Sequence, residues 1–490
     1  MIRVLIALAC GCAAVSAQPT PAFPFGVASG DVTAYSAVLW TKTASAANLE
    51  AQVSPDADFR RIVLRRAAAS SASTGLTAKV DIGPLKPATT YYYRWTAGAA
   101  VSGAGQFRTA PSPGMTEDLR FVFAGDSDGT RVNGLPAYNQ FEVLEAARAE
   151  DPGFFVYLGD TVYTDSGKRA SGPARTLDEY RGAYAENRTY AALRSLLAAT
   201  STYAVWDDHE FQNDFHPAGL PPGLYNIGRQ AFLEWMPARD SFLPADPGCA
   251  GRPMFRVIRW GTEALIVILD ERTCRSPSAA ERCLDSTGTP DLAPALPGAL
   301  RRLAGLPADA PSGCLAAMAD PARTLLGRTQ RELLYLVLRY FPARFKFIVS
   351  EVPVTGLFVL PYDRWEGYPA ERAAILRFIA EHRIPNVVFV TADLHATVLS
   401  RLSADVDGAA TPVAYEMVTG PIAVDPLLKT LATYPDFDPA YLNLLAPSLG
   451  VECMNLEETA YGVVSVSGGA ARIEVKNDRG KLLCGKLLGP

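Results

Sequence analysis

Histidine is scarce in this chain: there are four among 490 residues, beside 51 acidic residues and 46 lysines and arginines. A Ser-His-Asp hydrolase is not expected: the one Gly-x-Ser-x-Gly string, Gly125-Asp126-Ser127-Asp128-Gly129, carries acidic residues on both sides of its serine, and the two best-placed histidines, His209 and His395, sit beside carboxylates. No C-x-x-C pair occurs either, which argues against a structural zinc knuckle. Basic charge is not in excess: the formal net charge is -5. Phosphate-backbone binding needs clustered Lys and Arg, so a nucleic acid is not expected as a structural partner. An anionic substrate is not excluded, because a bound metal brings its own positive charge. The apolar run near the N-terminus is shorter than the roughly 20 residues that span a bilayer, so no stable membrane span is expected.

The rest of the composition is that of a globular chain, 49% hydrophobic and 10% aromatic. Its length allows two or three domains, and the aromatic content argues against disorder. Residues 1–17 read as a signal peptide. Arg3 gives a short positive start, an apolar stretch follows, and Val15-Ser16-Ala17 fits the small-x-small cleavage rule. The expected location is therefore extracytoplasmic, periplasmic or secreted. Cys10 and Cys12 fall inside that leader and leave Cys249, Cys274, Cys283, Cys314, Cys453 and Cys484. An even number in an exported chain suggests disulfides, and six cysteines allow 15 pairings. The nearest neighbours in sequence, Cys274 with Cys283, are the expected local pair.

Residues 23–110 read as an N-terminal β-sandwich domain. Ser36 to Thr41, Leu49 to Val53 and the aromatic run Tyr91-Tyr92-Tyr93-Arg94-Trp95 are short strand-like pieces separated by turn signals. The Leu85-x-Pro87-x-Thr89-x-Tyr91 pattern resembles fibronectin-type domains. After the linker Ala110-Pro111-Ser112-Pro113-Gly114 the texture changes, and 117–490 reads as an α/β catalytic domain. Unbroken apolar runs recur at 121–124, 154–158, 203–206, 265–269, 345–349 and 387–390. Amphipathic helices are expected at 326–341 and 370–382. Continuous apolar strands alternating with helices indicate sheet buried on both faces. The tail from Gly462 to Val475 reads as a closing hairpin.

Four of the apolar runs end in acidic or histidine motifs. They deliver Gly125-Asp126-Ser127-Asp128, Gly159-Asp160-Thr161-Val162-Tyr163, Asp207-Asp208-His209-Glu210 and Ala392-Asp393-Leu394-His395. The C-terminal edge of strands is where α/β sheets bind ligands, so side chains remote in sequence can converge there. Hydrolysis of a phosphate ester needs a nucleophile and neutralisation of the phosphoryl oxygens. Two cations roughly 3.5–4 Å apart supply both. An oxygen-rich donor set favours hard ions such as iron(III), manganese or calcium. Plainer readings exist: Gly-Asp after a strand is often only a turn, and Asp126 or Asp128 could cap a helix. Asp207-Asp208-His209-Glu210 is harder to explain without a cation, because its carboxylates repel one another. His216 reads as a loop residue and His382 as a helix C-terminus.

These motifs resemble the PhoD-like alkaline phosphatase/phosphodiesterase family within the calcineurin-like metallophosphoesterases. The resemblance runs over nearly the whole chain after the leader. It begins at Phe23-Pro24-Phe25-Gly26-Val27-Ala28-Ser29-Gly30-Asp31. It includes Gly159-Asp160-x-x-Tyr163, Trp206-Asp207-Asp208-His209-Glu210-x-x-Asn213-Asp214 and Ala392-Asp393-x-His395. The connecting segments Leu269-Asp270-x-Arg272, Leu326-Gly327-x-x-Gln330 and Asp363-x-Trp365-x-Gly367-Tyr368-Pro369 match as well. It implies an α/β/β/α sandwich of the metallophosphoesterase type preceded by a fibronectin-like β-sandwich. It also implies roles. Asp160 bridges two metals and is catalytic through them. Asp126, Tyr163 and His395 hold an iron(III)-like ion, with Tyr163 as phenolate. Asp208 and Asp393, with Asp207, hold a second ion, calcium in the family; manganese and zinc stay open. His209 stabilises phosphate charge or protonates the leaving group. Where the family shows a Ser-Cys pair this chain has Gly125-Asp126, closer to purple acid phosphatases. Arg272 and Arg131 are candidate substrate clamps, and Arg272 is equally a candidate for a structural ion pair.

The expected activity is hydrolysis of phosphate mono- or diesters by a metal-activated hydroxide. The alternatives are a specialised, phospholipase D-like member or one that binds metal without turnover. Residues 246–323, rich in Pro, Gly and Cys, read as an insertion that forms a wall or lid.

Overall fold

The computed structural model describes residues 19–404, 411–433 and 440–489. The expected leader, residues 1–17, therefore lies outside the described residues. Among them, no helix is long and apolar enough to cross a membrane.

Two mixed sheets face each other. In one, strands Leu119–Ala124, Phe154–Leu158 and Ser201–Val205 run parallel as neighbours. In the other, Ala264–Ile268, Phe345–Val349 and Val387–Thr391 do the same. Their sequences are unbroken apolar runs because both faces are covered. Ile266 and Ile268 point into the shared core with Phe121, Phe123 and Phe347. Leu265, Val267 and Leu269, on the opposite face, pack in a second core with residues of helices Gly327–Tyr340 and Pro369–Glu381. The Phe121 and Phe347 rings meet edge to face at 5.3 Å, across the gap between the sheets. The architecture is thus the expected α/β/β/α sandwich. The C-terminal hairpin, Tyr461–Ser467 with Ala470–Lys476, pairs with Leu119–Ala124 and extends the first sheet.

The N-terminal β-region shares a sheet with the rest. Strands Ala47–Ser54, Leu64–Ser70, Thr90–Ala97, Ala100–Val101 and Gly105–Arg108 form a separate five-stranded sheet. Val27–Gly30, Ala37–Lys42 and Thr77–Ile82 instead continue the nine-stranded sheet, with Ser29 opposite Ser201 and Gly30 opposite Thr202.

The disulfides correct one expectation. Cys274 bonds Cys249, not Cys283, while Cys283 bonds Cys314 and Cys453 bonds Cys484. Nearness in sequence was the wrong guide. Cys274 follows the turn after Ala264–Ile268 and lies beside the loop carrying Cys249, where the Ala250 amide donates to the Thr273 carbonyl at 2.9 Å. The Cys453–Cys484 bond joins an edge strand of each sheet, Val451–Asn455 and Leu482–Leu488.

Candidate functional site

The three parallel strands of the first sheet end on one edge, and the first two turn sharply there. Asp126 has φ 61° and Asp160 φ 45°. Aspartate is among the few non-glycine residues that enter this left-handed region readily. Gly159, at φ 71°, has a second reason to be glycine: a Cβ there would lie 2.5 Å from the Asp207 Cβ. Two donor-bearing turns therefore pack against each other only because one of them has no side chain. The opposite sheet brings Asp393 (φ 64°) and His395 (φ 55°) after strand Val387–Thr391. The Asp393 amide donates to Asp126 Oδ1 at 3.3 Å, so the edges of the two sheets touch.

Three groups of donor atoms result, each with its atoms within 4.8 Å of one another: Asp126, Asp160 and His395; Asp160, Asp208 and His209; and Asp208, Asp214 and Asp363. Asp160 is common to the first two and Asp208 links the second to the third. Tyr163 stands between the imidazoles. Its ring stacks on His209 with centroids 4.0 Å apart, and its hydroxyl is 3.3 Å from His395 Nε2. The His209 amide donates to Asp160 Oδ1 at 3.1 Å. The other side of that imidazole is fixed by Asp165, whose Oδ1 is 2.5 Å from Nδ1, and Asp165 Oδ2 in turn accepts from the Asn213 amide.

The electrostatics of this edge are unbalanced. Burial, then the charge of Asp207, pushes the Asp126 carboxyl well above the ordinary range. Burial, then Asp208 and Asp207, does the same to Asp160, and burial, then Asp207 and Asp363, to Asp393. Asp207 rises to about 7, because burial and Asp208 outweigh the adjoining Arg272. Burial and the charges of Asp160 and Asp126 also push the Tyr163 phenol well up. Asp126 Oδ2, Asp207 Oδ2 and Asp208 Oδ1 are buried without a hydrogen-bond partner. Buried, unpaired carboxylate oxygens are costly. Cations would reverse the cost and make the phenol a phenolate. The donor set therefore fits hard metal ions.

Arg272 is fully buried beneath the acids. Its Nε donates to Asp207, its Nη1 donates to Asp363 at 2.7 Å, and its Nη2 lies 3.5 Å from Asp393 and 3.8 Å from Asp208. It has the contacts of a structural counter-charge, with Nη2 buried and without a hydrogen-bond partner. Arg131 is not brought to the cluster. Its guanidinium contacts the Gly134 carbonyl and the Thr189 hydroxyl and lies 4.9 Å above the Tyr190 ring. Asp128 caps no helix: it accepts from the Thr130 amide and from the Ser166 hydroxyl. His216 is a loop residue, and His382 ends helix Pro369–Glu381, stacked on Phe378.

Sequence reading passed over Asp165, Asp214 and Asp363 as site residues. Asp214 and Asp363 stood inside quoted motifs, and Asp165 lies two residues beyond Tyr163. Only the folded chain shows that Asp165 faces His209 and that Asp363 faces Arg272 and Arg275.

Comparison with known proteins gives the family and the fold. The model of the PhoD-like phosphatase family matches residues 132–474, and that of the PhoD-like phosphatase N-terminal domain matches residues 9–111. Alkaline phosphatase D of Bacillus subtilis (strain 168) is 27% identical over 458 residues, covering 84% of this chain and 71% of that protein. A solved structure of PhoD superposes with a TM-score of 0.76 at 23% identity, over 96% of this chain and 93% of that one. A purple acid phosphatase from yellow lupin (Lupinus luteus) seeds shares the fold at a TM-score of 0.59 and 12% identity, over 94% of this chain and 73% of that one. The chain belongs to the PhoD-like phosphatase family.

Proposed function

We propose that the chain is an exported, metal-dependent phosphoesterase that hydrolyses phosphate mono- or diesters at a centre of two cations. One observation carries this reading. Asp160 is common to two donor groups, and buried carboxylate oxygens without partners surround it. Asp126, Tyr163 and His395 would hold one ion, iron(III) by analogy with the family. Asp208, Asp393 and the free Oδ2 of Asp207 would hold the other, calcium by the same analogy, with manganese or zinc as alternatives; Asp160 would join the two. When bound, such a pair activates a water and neutralises charge on the phosphoryl oxygens.

The protein's own groups do the rest. Asp165 fixes the His209 ring by its Nδ1, which leaves Nε2, 4.0 Å from Asp160 Oδ2, as the atom facing the reacting phosphate. Asp208 and Asp165 outweigh burial and raise the His209 imidazole to about 9, toward its protonated form. A cationic imidazole there stabilises charge on the phosphoryl oxygens or gives its proton to the departing oxygen. Arg272 keeps the acidic edge from repelling itself apart. Three disulfides support export, since such bonds persist in oxidising compartments.

The test is hydrolysis of nitrophenyl phosphate and bis(nitrophenyl) phosphate, with and without chelator, by the wild type and by Asp160→Asn. Asparagine tolerates the left-handed backbone, so the variant should fold. Chelator-sensitive turnover that disappears in Asp160→Asn is expected, and full activity in the variant refutes the assignment. Visible absorption lost in Tyr163→Phe would identify the ferric phenolate, and a colourless, active wild type points to another metal.

A further inference from the structure

A cavity of about 400 Å³ opens beside the acidic edge, reached past Asp214, Asp363, Asp393 and His395. Its volume lies toward the lower end of the roughly 300–1,000 Å³ typical of small-molecule sites. Away from the acids its wall is apolar: Leu357, Val359, Leu360, Leu427, Leu431 and Leu442. Three separate stretches of chain supply these residues. They belong to two apolar clusters, one around Leu357 and Leu394, the other joining Leu292, Val359, Leu431 and Leu442. Ser278, Ala280 and Pro290 of the 246–323 insertion close another side. The wall is thus a built surface, not a chance exposure of one side chain.

Two polar side chains of this wall are already engaged. Arg364, the one cation among the described lining residues, donates to the Val359 and Leu360 carbonyls. Tyr362 gives its hydroxyl to the Asp291 carbonyl at 2.7 Å. A second phosphate or a carboxylate on the ester group would face the carboxylates of Asp214, Asp363 and Asp393 in the same cavity, where Arg364 is the one cation among the described lining residues and turns its Nη2 to backbone carbonyls. An apolar group would shed water against leucine and valine.

We propose that this cavity is the subsite for the alcohol portion of the substrate, and that the preferred substrates are phosphate esters of uncharged, apolar alcohols, alkyl or aryl. This rests on the esterase reading above. In the reaction it serves, a water oxygen bonds to phosphorus and the P–O bond to the alcohol breaks. The electron pair leaves with the alcohol oxygen, which takes up a proton, and the apolar alcohol is released from the cavity.

The experiment uses the full chain with its metals as purified. It compares kcat/KM for methyl, butyl and hexyl phosphate, with glycerol 1-phosphate as a polar control, by release of inorganic phosphate. Each buried methylene is expected to raise kcat/KM by up to roughly fourfold. Hexyl phosphate should therefore exceed methyl phosphate by at least about tenfold, with glycerol 1-phosphate near the methyl ester. In the double variant Val359→Thr/Leu360→Asn the hexyl-to-methyl ratio should collapse toward one. Leu360 sits at φ 50°, where asparagine is well tolerated. A flat series in the wild type overturns the subsite and leaves the esterase reading standing. A steep series that survives the double variant overturns its assignment to this wall. No turnover of any ester sinks the esterase reading, and the subsite with it.

Discussion

His209 and His395 stand on either side of the Tyr163 ring, and their surroundings push them in opposite directions. Burial lowers both. At His209 the carboxylates of Asp208 and Asp165 win, and the imidazole rises to about 9. At His395 burial and the neighbouring His209 charge win, and it falls to about 4. The first is a cation held by an ion pair with Nδ1 committed. The second is a neutral ring whose Nε2 faces Tyr163 and lies 4.0 Å from Asp126 Oδ1. A neutral imidazole is the form that binds metal. A protonated one suits phosphate charge and a leaving oxygen. The roles proposed for the two rings, which the shared residue type cannot distinguish, are separated by the carboxylates around them, Asp208 and Asp165 at His209.

The sharpest way to break this contrast is to remove each ring in turn. His395→Ala is expected to cost one of two ions per chain by metal analysis and to lower activity by more than the roughly 100-fold seen when an outer partner is lost. His209→Gln should lower kcat by roughly 10²–10⁴-fold with metal content unchanged. Equal metal loss in both variants would erase the distinction. A milder cut is Asp165→Asn, expected to cost about 10–100-fold. It should also move the alkaline limb of the pH–rate profile to lower pH, because one of the carboxylates that raise His209 is gone; an unmoved limb would detach Asp165 from the chemistry.

The smallest effect is on stability against pH in metal-free protein. His209 has a folded pKa of about 9, above its reference value of 6.5, so its contribution is complete below 6.5 and is lost as pH rises through 9. His395 has the opposite sign: its folded value of about 4 penalises the fold as pH falls from 6.5 toward 4. Thermal melts of wild type and Asp165→Asn should therefore diverge below neutrality and converge above pH 9. Parallel curves at all pH values would show that the ion pair does not couple to folding.

Strand-end chemistry was legible in the sequence because it is local. An apolar run fixes a buried strand, and the residue after it must lie on the sheet edge, so Asp126, Asp160, Asp208 and His395 could be placed without coordinates. The helices 327–340 and 369–381 were legible for a similar reason, since periodicity is written within one segment. Partnerships between segments were not. Nothing in Leu269-Asp270-Glu271-Arg272 states that the guanidinium is sealed under Asp207 and Asp363, 65 and 91 residues away. Nothing in residues 27–30 states that they pair with 201–202 and carry the first sheet into the N-terminal region. The cysteines failed similarly: the bond follows which loops the sheets bring together, and Cys274 meets Cys249 across 25 residues although Cys283 is closer in sequence.

The left-handed turns at Asp126, Asp160, Asp393 and His395 have a consequence for how the chain withstands heat. Each holds a side chain where glycine would rest more easily, and the first three place their charges among like charges in a dry edge. The same edge is where the two sheets meet. A chain stripped of its ions should therefore open at the mouth of the sandwich while the aromatic layers behind it hold, which makes the working edge its thermal weak point.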